Sequence, residues 1–269
     1  MALLEIEGLG KTYGEGANAT HAIGDVSFSL GEREFVCVVG PSGCGKTTLL
    51  KCMSGLLAPT RGEVRLRDER VAGPPDSMAL VFQEYSRSLL PWLTVRGNVV
   101  LPLRHKKLDK AEAARLVEEA VDAVGLTQFL DHYPWQLSGG MQQRVAIARA
   151  LAYQPEILLM DEPFASVDAQ TRGDLEDLIL QVRERFEMTI LFVTHDIDES
   201  VYLSDRIVVL SPSPTEVREI LDVSLPRPRD QVETKELPEF AHQRAHVYRL
   251  IKRSTPAETP AQADPAPAA

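Results

Sequence analysis

The stretch GPSGCGKTT, residues 40–48, restricts the possible folds of this 269-residue chain more than any other segment. It matches the pattern G-x-x-x-x-G-K-[ST] in full, follows the apolar run at residues 34–39 and precedes a helical pattern. Glycines between a buried strand and a helix allow backbone N–H groups to surround a phosphate chain. We therefore predict a nucleotide-binding loop in which Lys46 reaches the β- and γ-phosphates, the Thr47 hydroxyl binds Mg²⁺ and Thr48 contacts the α-phosphate.

Short apolar runs alternate with helical patterns along much of the chain. This alternation predicts a mostly parallel sheet that is covered by helices. Residues 4–7 and 22–30 also read as strands, near the N-terminus. The remaining strand-type runs are residues 34–39, 62–67, 78–82, 157–160, 189–193 and 207–210, and the helical patterns are residues 45–54, 138–153, 169–186 and 196–203.

A block at about residues 86–137 interrupts this alternation, because it contains helical patterns and no convincing strand. Within it Asp109 is a plausible N-cap, with Glu112 as its capping-box partner. After the nucleotide-binding domain, predicted at residues 1–225, we expect a C-terminal extension at 226–253 that contains one exposed helix at 240–253. The Pro- and Ala-rich tail at 254–269 is predicted to be disordered.

Composition narrows the function classes. The net charge of −10 argues against a nucleic-acid partner. The three cysteines, Cys37, Cys44 and Cys52, lack metal-like spacing and fit a reducing compartment. The N-terminus has no secretory-signal pattern, and the apolar runs are too short to cross a bilayer. We therefore expect this chain to reach a membrane only through a partner.

Further polar residues follow the predicted strands. ILLMDE, residues 157–162, ends in two carboxylates: Asp161 is suited to an Mg²⁺ role, and Glu162 to orienting or deprotonating an attacking water. Gln83 could contact Mg²⁺ or water, and His195 follows a strand and would face the ligand crevice. Tyr13 could stack on adenine. For Gln83, His195 and Tyr13 the alternative is an ordinary structural or surface role.

LSGGMQQR, residues 137–144, is a second anion-binding pattern, because a serine precedes two glycines at a predicted helix start. In the order GPSGCGKTT, Gln83, LSGGMQQR, ILLMDEP and His195, these elements resemble the nucleotide-binding subunit of ATP-binding cassette (ABC) transporters over about residues 3–225. The resemblance implies an α/β fold: a P-loop NTPase (RecA-like) core with an N-terminal antiparallel β subdomain and an inserted α-helical subdomain.

The resemblance also implies roles for individual residues. Asp168 resembles the D-loop aspartate, which communicates across a dimer, and His195 the switch histidine that contacts the γ-phosphate. Gln83 resembles the Q-loop glutamine, which senses Mg²⁺ and contacts the membrane partner. The catalytic set is Glu162, His195, Lys46 and Gln83, and the metal set is Thr47, Gln83 and Asp161. The ATP-binding set is Tyr13, Gly40, Pro41, Ser42, Gly43, Cys44, Gly45, Lys46, Thr47 and Thr48, completed in trans by Ser138, Gly139 and Gly140 of a second copy.

Three segments, residues 88–99, 193–211 and 225–230, resemble the nitrate/sulfonate/taurine branch of importers. The implied protein is an ATP-hydrolysing homodimer on the cytoplasmic face of the inner (plasma) membrane. Its implied partners are permease subunits and, indirectly, a solute-binding protein. An ABC exporter ATPase and a non-transport ABC ATPase remain alternatives. The sequence lacks the long heptad insertion or zinc cysteines of a DNA-repair member, and the tandem cassettes of a translation-associated one.

Overall fold

The computed structural model describes residues 2–84 and 88–252. Within these residues, ten strands form a single sheet in the order β5-β4-β1-β2-β10-β9-β3-β8-β7-β6. The strands are β1 (Ala2–Tyr13), β2 (Thr20–Gly31), β3 (Phe35–Val39), β4 (Arg61–Leu66), β5 (Glu69–Arg70), β6 (Met78–Val81), β7 (Ile157–Asp161), β8 (Thr189–Thr194), β9 (Arg206–Leu210) and β10 (Thr215–Asp222).

The sheet has a parallel half and an antiparallel half. Strands β9, β3, β8, β7 and β6 pair in parallel. Every residue of β3, β7 and β8 is buried, as expected of parallel strands covered on both faces. Strands β1, β2, β4 and β5 pair antiparallel. The predicted α/β fold with an antiparallel N-terminal part is confirmed.

Strand β10 joins the two halves and was not predicted. It pairs antiparallel with β9 and parallel with β2. Its sequence, TEVREILD, alternates buried or half-buried positions with exposed ones, and three of the four exposed residues are charged. Such a half-exposed strand lacks the apolar run by which its buried neighbours were found.

The helices cover both faces of the parallel half, and two separate hydrophobic clusters lie against the sheet. Between β6 and Ser138 the described residues contain helices and no strand, so a helical block is inserted there. The helices are α1 (Lys46–Met53), α2 (Val95–Val100), α3 (Lys110–Ala123), α4 (Gly139–Ala152), α5 (Ala169–Phe186), α6 (Ile197–Leu203), α7 (Glu233–Glu236) and α8 (Pro238–Lys252).

The first turn of α3 shows how far the capping prediction holds. The Asp109 Oδ1 atom accepts a hydrogen bond from Glu112 N at 2.8 Å, as an N-cap should. The Glu112 carboxylate does not complete a reciprocal box, because it pairs with Arg115 Nη2 at 2.8 Å. An ion pair three residues along the helix replaces the second half of the motif.

The C-terminal extension contacts the rest of the chain. Helix α8 buries Phe240 and Val247, which are 3% and 0% exposed, so the helix predicted to be exposed has one apolar face in the core. Ahead of it, the Arg229 guanidinium donates to the carbonyls of Tyr202 and Ser204 at the end of α6. The predicted disordered tail at 254–269 and the start of the predicted helical block at 86–87 lie outside the described residues. Among those described, no helix combines the length and apolar character that crossing a bilayer requires.

Candidate functional site

Four groups of predicted site residues lie at the carboxyl ends of four neighbouring parallel strands, β3, β8, β7 and β6. The strand register aligns these ends, because Val39 is paired with Thr194, Val193 with Asp161, and Met160 with Val81. The phosphate loop leaves β3, His195 follows β8, Asp161 ends β7, and Gln83 lies just beyond β6. Ligands of open α/β sheets bind at this edge.

The loop after β3 has the backbone of a phosphate cradle. Gly43 and Gly45 have φ values of 74° and 106°, in the left-handed region that glycine adopts without strain. Lys46 begins α1 and is only 5% exposed. Its Nζ donates to Gly40 O at 3.1 Å and Pro41 O at 3.3 Å, so the ammonium lies over the loop.

Asp161 and Thr47 form a pair of oxygen donors next to this loop. Asp161 is 4% exposed, and its carboxylate is hydrogen-bonded to the Thr47 side chain. Burial raises the pKa of Asp161, while the Thr47 hydrogen bond and the Lys46 charge oppose that rise. Within the described residues no group of three or more His, Cys, Asp or Glu could hold a metal ion. One hydroxyl and one carboxylate suit a hard cation that keeps water and phosphate ligands.

Glu162 lies between two cationic or potentially cationic groups. Its Oε1 is 3.5 Å from Lys46 Nζ, and its Oε2 is 2.8 Å from His195 Nδ1. The backbone is left-handed, with φ 42°, a costly conformation for a non-glycine residue, and Glu162 N donates to Val193 O at 2.8 Å. Such strain concentrates at functional sites. The arrangement directs one carboxylate at the phosphate loop, where it could accept a proton from water.

Tyr13 and Gln83 are at the edges of the site. Tyr13 ends β1 and is 42% exposed, and its hydroxyl lies 3.4 Å from the Thr48 hydroxyl. Its ring could therefore stack on a base beside the start of α1. Gln83 is exposed and makes no hydrogen bond to the Lys46, Asp161 and Glu162 group in the part of the chain that the structure describes. The structure brings the loop, Asp161, Glu162 and His195 together and leaves Gln83 beside them.

The second glycine motif begins α4 and is separate from this group. Ser138 Oγ caps the helix by accepting from Met141 N at 3.3 Å, and Ser138 and Gly139 are exposed. Gly140 is buried, and a Cβ atom there would lie 2.4 Å from Thr171 Cγ2. Gly140 thus allows α4 to approach α5 closely. The exposed helix start remains accessible to a ligand brought by another molecule.

Sequence reasoning missed two supports of the site. The buried Thr215 hydroxyl contacts the Cys44 carbonyl of the phosphate loop and lies 3.1 Å from Ala22 O on β2. Arg172 lies against the loop that carries His195. A threonine starting a strand and an arginine on a helix have no distinguishing local pattern, so no sequence signal marked either residue.

Comparison with known proteins shows the family of this chain. The family model described as ABC transporter matches residues 23–165. An uncharacterized ABC transporter ATP-binding protein of Methanocaldococcus jannaschii is 46% identical over 249 residues, which are 93% of this chain and 91% of that protein. The nitrate transport protein NasD of Klebsiella oxytoca is 38% identical, with coverage of 94% of this chain and 98% of NasD.

The bicarbonate transport ATP-binding protein CmpC of a Synechocystis strain is 44% identical over 86% of this chain, but only 35% of CmpC is matched. Among solved structures, the dimeric post-hydrolysis state of the ATP-binding cassette MJ0796 bound to ADP and Pi has a TM-score of 0.71 and 34% identity. The match covers 82% of this chain and 98% of that cassette.

The fold and the site define a P-loop ATPase. The chain belongs to the ABC transporter family, as an ATP-binding subunit that hydrolyses ATP to drive transport. The MJ0796 cassette, to which this chain is similar, is a dimer in both of its solved structures.

Proposed function

We propose that this chain energises the uptake of a small anionic solute, such as nitrate, a sulfonate or taurine, through a separate permease. The proposal that this chain hydrolyses ATP through these residues rests on one observation: Glu162 lies between Lys46 and His195, at the ends of neighbouring strands. The similarity to NasD and CmpC, which are named for nitrate and bicarbonate transport, supports the solute class.

The proposed binding step uses the loop from Gly40 to Thr48. Its N–H groups and Lys46 bind the phosphates of ATP, and Tyr13 stacks on the adenine. Thr47 and Asp161, with Gln83 nearby, hold Mg²⁺, which neutralises phosphate charge when bound. The oxygen donors present fit this ion. Because burial raises the pKa of Asp161, a cation next to it would stabilise its charged form.

In the proposed chemical step, Glu162 orients a water molecule and accepts its proton as the water attacks the γ-phosphate. His195 holds the far oxygen of that carboxylate and contacts the γ-phosphate, so the two residues act as one unit. Lys46 neutralises charge on the transferring group. Ser138, Gly139 and Gly140 of a second copy cover the same phosphate, which completes each site only in the dimer.

The remaining partners are also proposals. The helical block after Gln83 transmits closure of the dimer to two permease subunits, and a solute-binding protein delivers the solute. The chain would then work on the cytoplasmic face of the plasma membrane. A transport assay in a strain lacking this gene, with nitrate, taurine and an alkanesulfonate as solutes, tests the solute class; uptake equal to that of the parent strain for all three would contradict it.

Substitution of Glu162 tests the catalytic part directly. Glu162→Gln should reduce ATP turnover at least a hundredfold, because the amide cannot accept the proton, yet the variant should retain ATP and accumulate as a closed dimer. Steady-state ATPase assays and size-exclusion chromatography with ATP measure both effects. Glu118→Gln, at an exposed position on α3, is the matched control and should keep wild-type turnover. Wild-type turnover in Glu162→Gln would show that another group is the base.

A further inference from the structure

The loop that carries His195 is held on both sides by hydrogen bonds. Before the histidine, Thr194 Oγ1 donates to Glu199 Oε2 at 2.5 Å and accepts from Asp196 N at 2.9 Å. After it, Asp196 Oδ1 accepts from Asp198 N at 2.8 Å and from Glu199 N at 3.2 Å, which caps α6. His195 itself is 55% exposed in its side chain, so its position depends on these neighbours.

Two carboxylates at the start of α6, that of its N-cap Asp196 and that of Glu199, face one cation. Arg172, from α5, places Nη1 3.0 Å from Asp196 Oδ2. Its buried Nε lies 3.5 Å from Glu199 Oε1, at ion-pair distance but without hydrogen-bond alignment. Glu199 is 4% exposed, and a buried carboxylate is costly unless a cation compensates it. Burial raises the pKa of Glu199 to about 7, while Thr194 and Arg172 oppose the rise. The charge state of this loop is therefore sensitive to Arg172.

Arg172 also contacts the chain segment that precedes α5. Its Nη2 donates to Val167 O at 3.5 Å and its backbone N to Asp168 O at 2.9 Å. Asp168 caps α5 by accepting from Thr171 N at 3.0 Å. One guanidinium thus connects the His195 loop, whose histidine contacts Glu162, with the segment ending at Asp168, which follows Glu162 in the sequence.

We propose that Arg172 is a positioning residue of the ATPase, which fixes the His195 loop against the segment ending at Asp168 by neutralising Asp196 and Glu199. This inference rests on the proposed role of His195 in hydrolysis. Without the guanidinium, the part-exposed Asp196 carboxylate and the buried Glu199 carboxylate repel each other. The loop then shifts, and the 2.8 Å contact between His195 and Glu162 is lost.

Arg172→Gln should lower kcat for ATP hydrolysis about tenfold at pH 8.5, because small displacements of reacting groups reduce rates strongly. The KM for ATP should stay within about twofold, since the phosphate loop is untouched. Calorimetric titration with ADP should likewise give a wild-type dissociation constant. Adding Glu199→Gln removes one of the repelling charges, so the double variant should recover at least threefold in kcat.

The pH profile separates this role from a general loss of structure. The charged and titratable groups around Glu199 are Asp196 on its own loop, Arg172 and Glu176 from α5, and Cys37 from β3; Lys235 pairs with Glu176 at 3.4 Å. As pH falls from 8.5 to 6, Glu199 takes up a proton and the repulsion disappears. The ratio of Arg172→Gln to wild-type kcat should therefore rise at least threefold, and this rise should vanish in the double variant.

Arg115→Gln is the matched control, because Arg115 makes ion pairs with Glu112 and Glu119 on the exposed face of α3. It should retain wild-type kcat at both pH values. If Arg172→Gln fails to fold, Arg172→Lys serves instead: its single ammonium cannot bridge both carboxylates, so kcat at pH 8.5 should fall at least threefold and return to the wild-type value at pH 6.

An unchanged kcat, or a loss that neither pH nor Glu199→Gln alters, would overturn the inference. The proposed catalysis is judged independently of it. If wild-type protein hydrolyses ATP and Glu162→Gln does not, the function stands and only the role of Arg172 is contradicted.

Discussion

At the scale of single residues, Glu199 links the charge of the His195 loop to the stability of the whole chain. Its pKa of about 7 lies above its ordinary value of 4.5 because of burial. The folded state therefore holds this proton more tightly than the unfolded chain. The resulting stabilisation is fully present below about pH 4.5 and is lost as pH rises through about 7.

Glu199→Gln should remove this pH dependence. The quantity to follow is the free energy of unfolding of the variant minus that of the wild type. This difference should be larger at pH 8 than at pH 4.5 by an amount on the order of 3 kcal/mol, because one pKa unit corresponds to about 1.4 kcal/mol. Urea unfolding at the two pH values measures it. Glu118→Gln at its exposed position should show no such change. If Glu199→Gln changed the free energy of unfolding equally at both pH values, burial would not raise the pKa of Glu199 as stated.

The site residues show what a single sequence can and cannot predict. Lys46, Asp161 and Glu162 were found because each sits in a local pattern that chemistry requires at a strand end. Their mutual distances were not predictable, since the two strands that carry them, β3 and β7, are far apart in the chain. Arg172 and Thr215 were missed for the same reason: their partners lie on other elements, and only the tertiary fold brings them together.

At the scale of elements, the short apolar runs correctly predicted the buried strands, whereas β10 was missed because half of its residues face solvent. The C-terminal helix was placed correctly to within two residues at its start, but its burial was not foreseen. Amphipathic periodicity identifies a helix more reliably than it identifies the surface that the helix covers.

The buried face of α8 gives a test of its contribution. Phe240→Ala should lower the free energy of unfolding by about 3 kcal/mol, because removing a fully buried ring loses packing and leaves a cavity. His242→Ala, at an exposed position on the same helix, should change it by less than about 0.5 kcal/mol. Urea denaturation measures both. Equal small effects would mean that α8 is only loosely attached to the cassette.

At the scale of the whole molecule, the exposed start of α4 predicts how two copies cooperate. Ser138→Arg should leave ADP binding unchanged, since Ser138 makes no contact with the phosphate loop in its own described chain. It should block closure of each site that the substituted residue covers, and so reduce the ATPase activity of the Ser138→Arg dimer at least tenfold. Lys46→Ala should also be inactive, through loss of phosphate binding.

Mixing the two inactive variants tests whether the sites are shared between copies. A mixed dimer contains one site with Lys46 from one copy and Ser138 from the other, so ATPase activity should reappear when neither variant alone shows it. Each variant assayed alone, at the same total protein concentration, is the control. Full activity of Ser138→Arg alone would exclude the role of α4 in a partner's site.

Strand β10 has one more consequence. It is hydrogen-bonded to β9 on one side and to β2 on the other, and its Thr215 contacts the carbonyl of Cys44. A hinge between Tyr13 and Lys46 would have to break this ladder. If Tyr13 stacks on the base as proposed, the continuous sheet holds the base-binding side chain and the phosphate loop at a fixed separation, so that separation sets the length of nucleotide that fits.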